Sequence, residues 1–173
     1  MLKEALASLE AQTVKPDEII VMKEPKEINA WERVNMGVRK SKTDAFFVLC
    51  DDDMVAPTFI EETAKLMEQW NCDIVSTPLK NFGEADSVHG CGEHPFVTAL
   101  IRRSLFDKIG GYDIKAGLAA DADFYYSAFE LGARWEKLGE PLFLYRVHDE
   151  QWSKNDEWPP YMDYIYKKHN LTR

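Results

Sequence analysis

Apolar residues at positions 2, 5, 6 and 9 recur at the spacing of one helix face, which predicts an amphipathic helix over residues 2–12. Residues 17–22 (DEIIVM) predict a short strand, and residues 28–40 a second helix with Trp31, Val34 and Val38 on one face. Residues 44–50 (DAFFVLC) are apolar after Asp44, the pattern of a strand buried on both faces at the centre of a parallel sheet. Pro57 suits the first turn of a helix over 57–70, with Phe59, Ile60, Thr63, Leu66, Met67 and Trp70 on its buried side. Residues 72–78 predict the next strand. Beyond residue 78 the pattern changes to a polar, glycine-bearing loop (80–94), a strand (95–103) and a short helix (104–109) stopped by Gly110 and Gly111. A helix over 121–132 ends at Gly132. Strands follow at 134–138 and 142–147, and residues 159–173 read as an amphipathic helix with Tyr161, Tyr164, Ile165 and Lys168 on one side.

This alternation of helices and strands predicts an α/β layered domain, a three-layer sandwich about a central, mostly parallel sheet. Ligands in such folds sit beyond the carboxyl ends of strands. The 173 residues suit a single domain over 1–173, large enough to bury about 70% of the surface its unfolded chain exposes. The longest apolar runs are too short to span a bilayer, and the first dozen residues lack the uninterrupted apolar core of a signal peptide, so a cytoplasmic protein without a transmembrane segment is expected. A net charge of −9 argues against nucleic acid as a partner. The cysteines, Cys50, Cys72 and Cys91, are odd in number and suit a reducing compartment. Residues 89–94 place His89, Cys91, Glu93 and His94 together, which are zinc-type ligands, but with no second pair downstream a plain glycine-rich loop is the favoured reading.

The candidate chemistry lies at the end of the apolar run, where Asp51, Asp52 and Asp53 follow Cys50 directly. Adjacent carboxylates repel one another unless a cation or solvent neutralises them. Their hard oxygens suit Mg²⁺ or Mn²⁺, whose shells phosphate oxygens often complete. A solvated acidic turn leading into the helix at Pro57 is the plainer alternative.

Five segments in order, LKEALASLEAQTVKPDEIIVM, VNMGVRKSKTDAFFVLCDDDMVAPTFIEE, LIRRSLFDKIGGYD, ADADFYYSAFELGARW and EPLFLYRVHDEQWS, together resemble the family 2 glycosyltransferases of the GT-A fold over most of the chain. The resemblance implies a Rossmann-like domain with a donor-binding half at 1–78, an acceptor and catalytic half at 79–150 and a C-terminal tail helix at 151–173. It implies metal-dependent, inverting transfer of a hexose from a UDP-sugar, UDP-glucose first, to a carbohydrate or other hydroxyl acceptor. Asp51 and Asp53 correspond to the outer positions of the family's Asp-x-Asp motif. Aligning instead on residues 53–57 pairs Asp52 with Asp53 and puts Cys50 at a position that is usually acidic. His148 corresponds to a further ligand of Mn²⁺ or Mg²⁺, and Asp121 to the base, with Ala120 in place of the customary glutamate. Asp123 corresponds to a structural or acceptor-facing residue, and lies about 200° from Asp121 around a helix. On the donor side the resemblance points to Asp51, Asp52, Asn35 and Gly37, with Glu24 facing the base and Arg33 or Arg39 offsetting phosphate charge. Arg102 and Arg103 are either phosphate ligands or a solvated strand end.

The family's first strand has no counterpart here. Residues 17–22 and 45–50 are therefore expected to pair directly, or to have the gap filled by the C-terminal tail or a second copy, which makes a homo-oligomer plausible. A binding protein of the same fold that has lost turnover is the alternative function. An acidic module holding structural Ca²⁺ ranks last, because the spacing of an EF-hand loop is lacking.

Overall fold

Neighbouring strand residues send their side chains to opposite faces, and here that alternation builds three layers. In the computed structural model, which describes residues 1–23, 28–89, 98–149 and 158–172, the elements run α1 (Leu2–Glu10), α2 (Ala30–Lys40), β1 (Ala45–Phe46), β2 (Met54–Val55), α3 (Phe59–Trp70), β3 (Ile74–Ser76), β4 (Leu79–Gly83), β5 (Val88–His89) and β6 (Ala99–Arg102). They continue with α4 (Arg103–Ile109), a 3₁₀ turn (Ile114–Ala119), α5 (Ala120–Glu130), β7 (Trp135–Lys137), β8 (Phe143–Val147) and α6 (Trp158–Lys168). One sheet has the order β1-β6-β3-β7 and the other β2-β8-β4-β5. In the first sheet Ile74, Ala99 and Ile101 face a core shared with α2, α4 and α5, while Val75 and Leu100 face Met67 of α3 on the other side. The expected α/β class with a helix layer on each face is thus the observed one. Strands from both sides of residue 78 share both sheets, and each sheet carries one parallel ladder: β3 with β7 at the end of the first sheet, and β4 with β8 between two antiparallel ladders in the second.

The second sheet is anchored by α1. Ser8 Oγ accepts from the Val55 amide at 3.3 Å, and buried Gln12 both donates to the Ala56 carbonyl at 2.7 Å and accepts from the Ile60 amide at 3.0 Å. Leu9, Val55, Phe59, Leu142 and Phe143 close a small apolar core there.

Several sequence expectations are corrected. Residues 17–22 form no strand, and Ile19, Ile20 and Val21 stay exposed. Residues 44–50 are not a central parallel strand: only Ala45–Phe46 pair, antiparallel to β6 at the end of their sheet. The run is apolar because Phe46 packs into the α2/α4/α5 core while Phe47 and Leu49 pack into the core beneath α1. Pro57 precedes Thr58, the residue that starts α3, and Trp70 is 56% exposed where Asn71 turns left-handed and ends that helix. Residues 79–89 are a β4–β5 hairpin rather than a loop, disguised by the polar Lys80 and Asn81. The zinc-type residues Cys91, Glu93 and His94, the side chain of His89 and the rest of residues 90–94 lie outside the described residues. Among the described residues no helix is long and apolar enough to cross a membrane.

The tail helix α6 does not fill a gap beside residues 17–22. It is clamped to the 3₁₀ turn and α5 by a largely buried polar network. Lys168 Nζ donates to Asp123 at 2.8 Å and to Asp113 at 3.0 Å, and Tyr164 donates to Asp113 at 2.7 Å. His169 stands between Asp123 and Glu130, 2.9 Å from each. Asp123, 1% exposed, is therefore structural: losing a partner from such a network leaves a buried charge uncompensated. The helix also depends on Gly117, whose φ of 52° few L side chains adopt and whose added Cβ would lie 2.1 Å from the Tyr161 ring. Gly117→Ala is expected to cost roughly 2–4 kcal/mol. Urea unfolding should show a lower midpoint at unchanged slope, and an unaltered midpoint would mean that Tyr161 is not seated on this turn.

Candidate functional site

The ladder between β2 and β8 pairs Met54 with Leu144 and Val55 with Phe143. Because the strands are antiparallel, continuing this register beyond Met54 brings the residues before β2 alongside the end of β8 and His148. The contacts follow that geometry. Asp53, 2% exposed, accepts from the Arg146 amide at 2.9 Å. Arg146 Nε donates to the Asp52 carbonyl at 2.7 Å, and its Nη2 lies 3.1 Å from Glu4. His148 Nε2 lies 3.1 Å from Asp52 Oδ2.

Residues 50–53 form a tight turn closed by the Asp53 amide and the Cys50 carbonyl at 3.3 Å. Closing the turn brings its first and fourth residues together and leaves Asp51 exposed at a corner. As a result Cys50, Asp52 and Asp53 each offer a ligand atom within 4.8 Å of the others. Asp51 is outside this group, so the geometry favours the Asp52–Asp53 register over Asp51–Asp53. Two carboxylates and a thiol, with an imidazole beside one carboxylate, are a donor set that fits a divalent cation.

The electrostatics of the region match that reading. Burial, followed by the charge of Asp52, pushes the Asp53 carboxyl up to about 7, against the favourable Arg146 amide and the nearby Arg146 and His148 charges. Burial likewise raises Asp121 to about 6, opposed by hydrogen bonds from backbone amides including Ala122 at 2.8 Å. Cys50 is an exposed residue, yet desolvation at its sulfur raises the thiol pKa, and the charges of Asp53, Asp52, Asp51 and Asp121 raise it further. Tyr112 and Tyr125 are raised by burial and also by Asp121. The Asp121 charge is therefore felt both at the turn and at two buried tyrosines.

Asp121 lies in the first turn of α5 and is not its N-cap, which is Ala119 without a side-chain bond. Asn35 is not gathered with the aspartates: its amide bonds the Tyr112 backbone in both directions at 2.8 Å, supporting Tyr112 from behind. Gly37 lies under Met22. Arg39 reaches the Gly110 carbonyl at 3.3 Å, Arg102 the Cys72 carbonyl and Glu68, and Arg103 the Ser41 carbonyl and Asp107. These arginines make structural contacts away from the turn. Glu24 lies outside the described residues. Sequence reasoning missed Arg146, yet a signal existed: it stands two residues before His148, the spacing that puts both on one face of a strand.

No protein-family model matches the sequence, and no curated protein matches it. Among solved structures, TarS residues 1–349 of S. aureus in complex with UDP-GlcNAc superposes with a TM-score of 0.77 at 13% identity over 96% of this chain and 62% of that one. The same segment in complex with UDP gives 0.70 at 14% identity over 84% and 56%, and a longer TarS structure gives 0.71 at 15% over 96% and 37%. The chain thus has a glycosyltransferase-like fold and spans 56% of the first of these relatives in the UDP complex.

The Asp53 environment makes a stability prediction. An unfolded carboxyl loses its proton near 3.8, whereas folded Asp53 holds it to about 7. The folded state therefore binds more protons within that window, and this group's contribution to stability declines as pH rises through it. In metal-free protein Asp53→Asn, which keeps an acceptor for the Arg146 amide, is expected to gain on the order of 1–3 kcal/mol at pH 8 and little at pH 4. Thermal melts across that range check it; equal effects at both ends would refute the burial argument.

Proposed function

We propose that the chain is a metal-dependent glycosyltransferase of the family 2 type that transfers a hexose from a UDP-sugar to an acceptor hydroxyl with inversion. The observation carrying this reading is the convergence of Asp52, Asp53 and His148 at one turn whose environment also feels Asp121, within a fold like that of TarS bound to UDP and UDP-GlcNAc.

Asp52 and Asp53 would hold Mn²⁺ or Mg²⁺ with His148 beside Asp52, and the pairing of Asp51 with Asp53 becomes the less favoured register. When bound, such an ion stabilises the negative charge that the departing diphosphate acquires. Asp121 takes the proton of the acceptor hydroxyl as its oxygen forms the new bond to the sugar's anomeric carbon. The bond from that carbon to the diphosphate breaks as the new one forms, its electron pair leaving with UDP, and attack from the opposite face inverts the configuration. A carboxyl raised to about 6 remains ionised at neutral pH while being a stronger base than an ordinary aspartate. Burial supplies this shift without the glutamate that Ala120 replaces. Tyr112, held by Asn35, and Tyr125 are buried and close enough to Asp121 for its charge to raise both.

Two measurements test this. Calorimetric titration of UDP should show binding with Mn²⁺ and none with EDTA; metal-independent binding would remove the metal from the donor site. Asp121→Asn should lower turnover by about 10²–10⁴-fold with UDP affinity retained, and the wild-type kcat/KM should fall below about pH 6 as Asp121 is protonated. UDP binding without product from UDP-glucose or UDP-GlcNAc across a set of hydroxyl acceptors would favour the binding-protein alternative.

A further inference from the structure

The two cysteines described by the structure occupy opposite environments. Cys72, 1% exposed, packs with Met67, Val75 and Leu100 in an apolar cluster, the usual role of a free cysteine as a small hydrophobe. Cys50 is exposed, and its sulfur lies with the carboxylate oxygens of Asp52 and Asp53 inside a 4.8 Å group. Apolar packing does not account for a thiol there.

The turn explains how the sulfur reaches that position. Cys50 and Asp53 are its first and fourth residues, joined by their own backbone bond, so their side chains converge from opposite ends. A cysteine side chain is one atom shorter than an aspartate, and a metal–sulfur bond of about 2.3 Å, against about 2.0–2.2 Å for a carboxylate, compensates in part. A 4.8 Å ceiling on the mutual spacing is compatible with ligand atoms around one ion. His148, 3.1 Å from Asp52 Oδ2, either orients that carboxylate or supplies a fourth donor.

We propose that Cys50 is a sulfur ligand of the divalent ion held by Asp52 and Asp53, which makes this centre selective for thiophilic cations such as Co²⁺, Zn²⁺ and Cd²⁺ over Mg²⁺. The inference rests on the metal-dependent reading above and changes its chemistry. A purely carboxylate centre favours hard ions, whereas one thiolate shifts preference toward softer ones and disfavours Mg²⁺. Binding exchanges the thiol proton for the metal, and that proton leaves to solvent.

Spectroscopy with Co²⁺ tests the ligand directly, without relying on turnover. Co²⁺ added to the reduced protein, alone and with UDP, is expected to produce a sulfur-to-cobalt charge-transfer band in the near ultraviolet. Cys50→Ser should abolish that band while the weaker visible cobalt spectrum remains. Cys50→Asp should raise the ratio of Mg²⁺ to Cd²⁺ affinity by about tenfold or more, measured by competition. Cobalt bound to wild-type protein without the charge-transfer band would overturn the sulfur ligand and leave the carboxylate centre standing. A band that persists in Cys50→Ser would assign the sulfur to another cysteine and equally overturn it. No cobalt binding with or without UDP would overturn the inference together with the metal reading on which it rests.

Discussion

The antiparallel register of β2 against β8 is the constraint on which the candidate site depends. It sets the residues before β2 against the last residues of β8, so one backbone amide, that of Arg146, meets the carboxylate of Asp53. The guanidinium of the same arginine then ties the Asp52 carbonyl to Glu4 of α1, coupling the turn to the helix packed on β2. A slip of one residue in that register would turn Arg146 and His148 to the other face of the sheet and disperse the cluster. The short ladder does not hold this register by itself: Ser8 and Gln12 of α1 fasten β2, and β8 also runs parallel to β4 over five paired residues.

A second set of contacts fixes the segment that carries Asp121. Asp121 sits at the start of α5, and the position of that helix follows from what is bonded to both ends of the segment around it. Asn35 holds Tyr112 on one side, while α6 is latched to Asp113, Asp123 and Glu130 on the other. Asp121 and Asp123 therefore differ in surroundings as their angular separation suggests: Asp121 accepts from the Ala122 amide and its charge raises two buried tyrosines, while Asp123 is taken up by Lys168 and His169. Among the described residues the tail helix is joined to the start of α5 through this scaffold.

Helix faces were legible because their periodicity reports burial directly: α1, α2, α3 and α5 begin and end within a few residues of where the pattern puts them. The run 44–50 was misread because apolarity reports burial without reporting ladder position; Phe47 and Leu49 are partly buried by packing against the core beneath α1, outside any strand pair. The β4–β5 hairpin was invisible for the converse reason, since Lys80 and Asn81 lie on a strand whose pairing is supplied by distant β8. Cys50 stood out only as a departure from an acidic position, and its nearness to Asp52 and Asp53 needed distances.

Asp53 and Asp121 are both carboxyls raised by burial, yet the causes of their shifts suit different tasks. Asp53 has a second carboxylate beside it, so part of its cost of ionisation is a repulsion that a cation would turn into attraction. For Asp121 the raising cause is burial alone, and hydrogen bonds from backbone amides temper it to a value at which the carboxylate persists at neutral pH and still draws a proton. The first environment is one that a cation would relieve, while the second leaves its carboxylate ionised and basic at neutral pH. Burying Asp53 beside Asp52 gives up some stability at neutral pH, and carboxyls perturbed in this way are of the kind that cluster at functional sites.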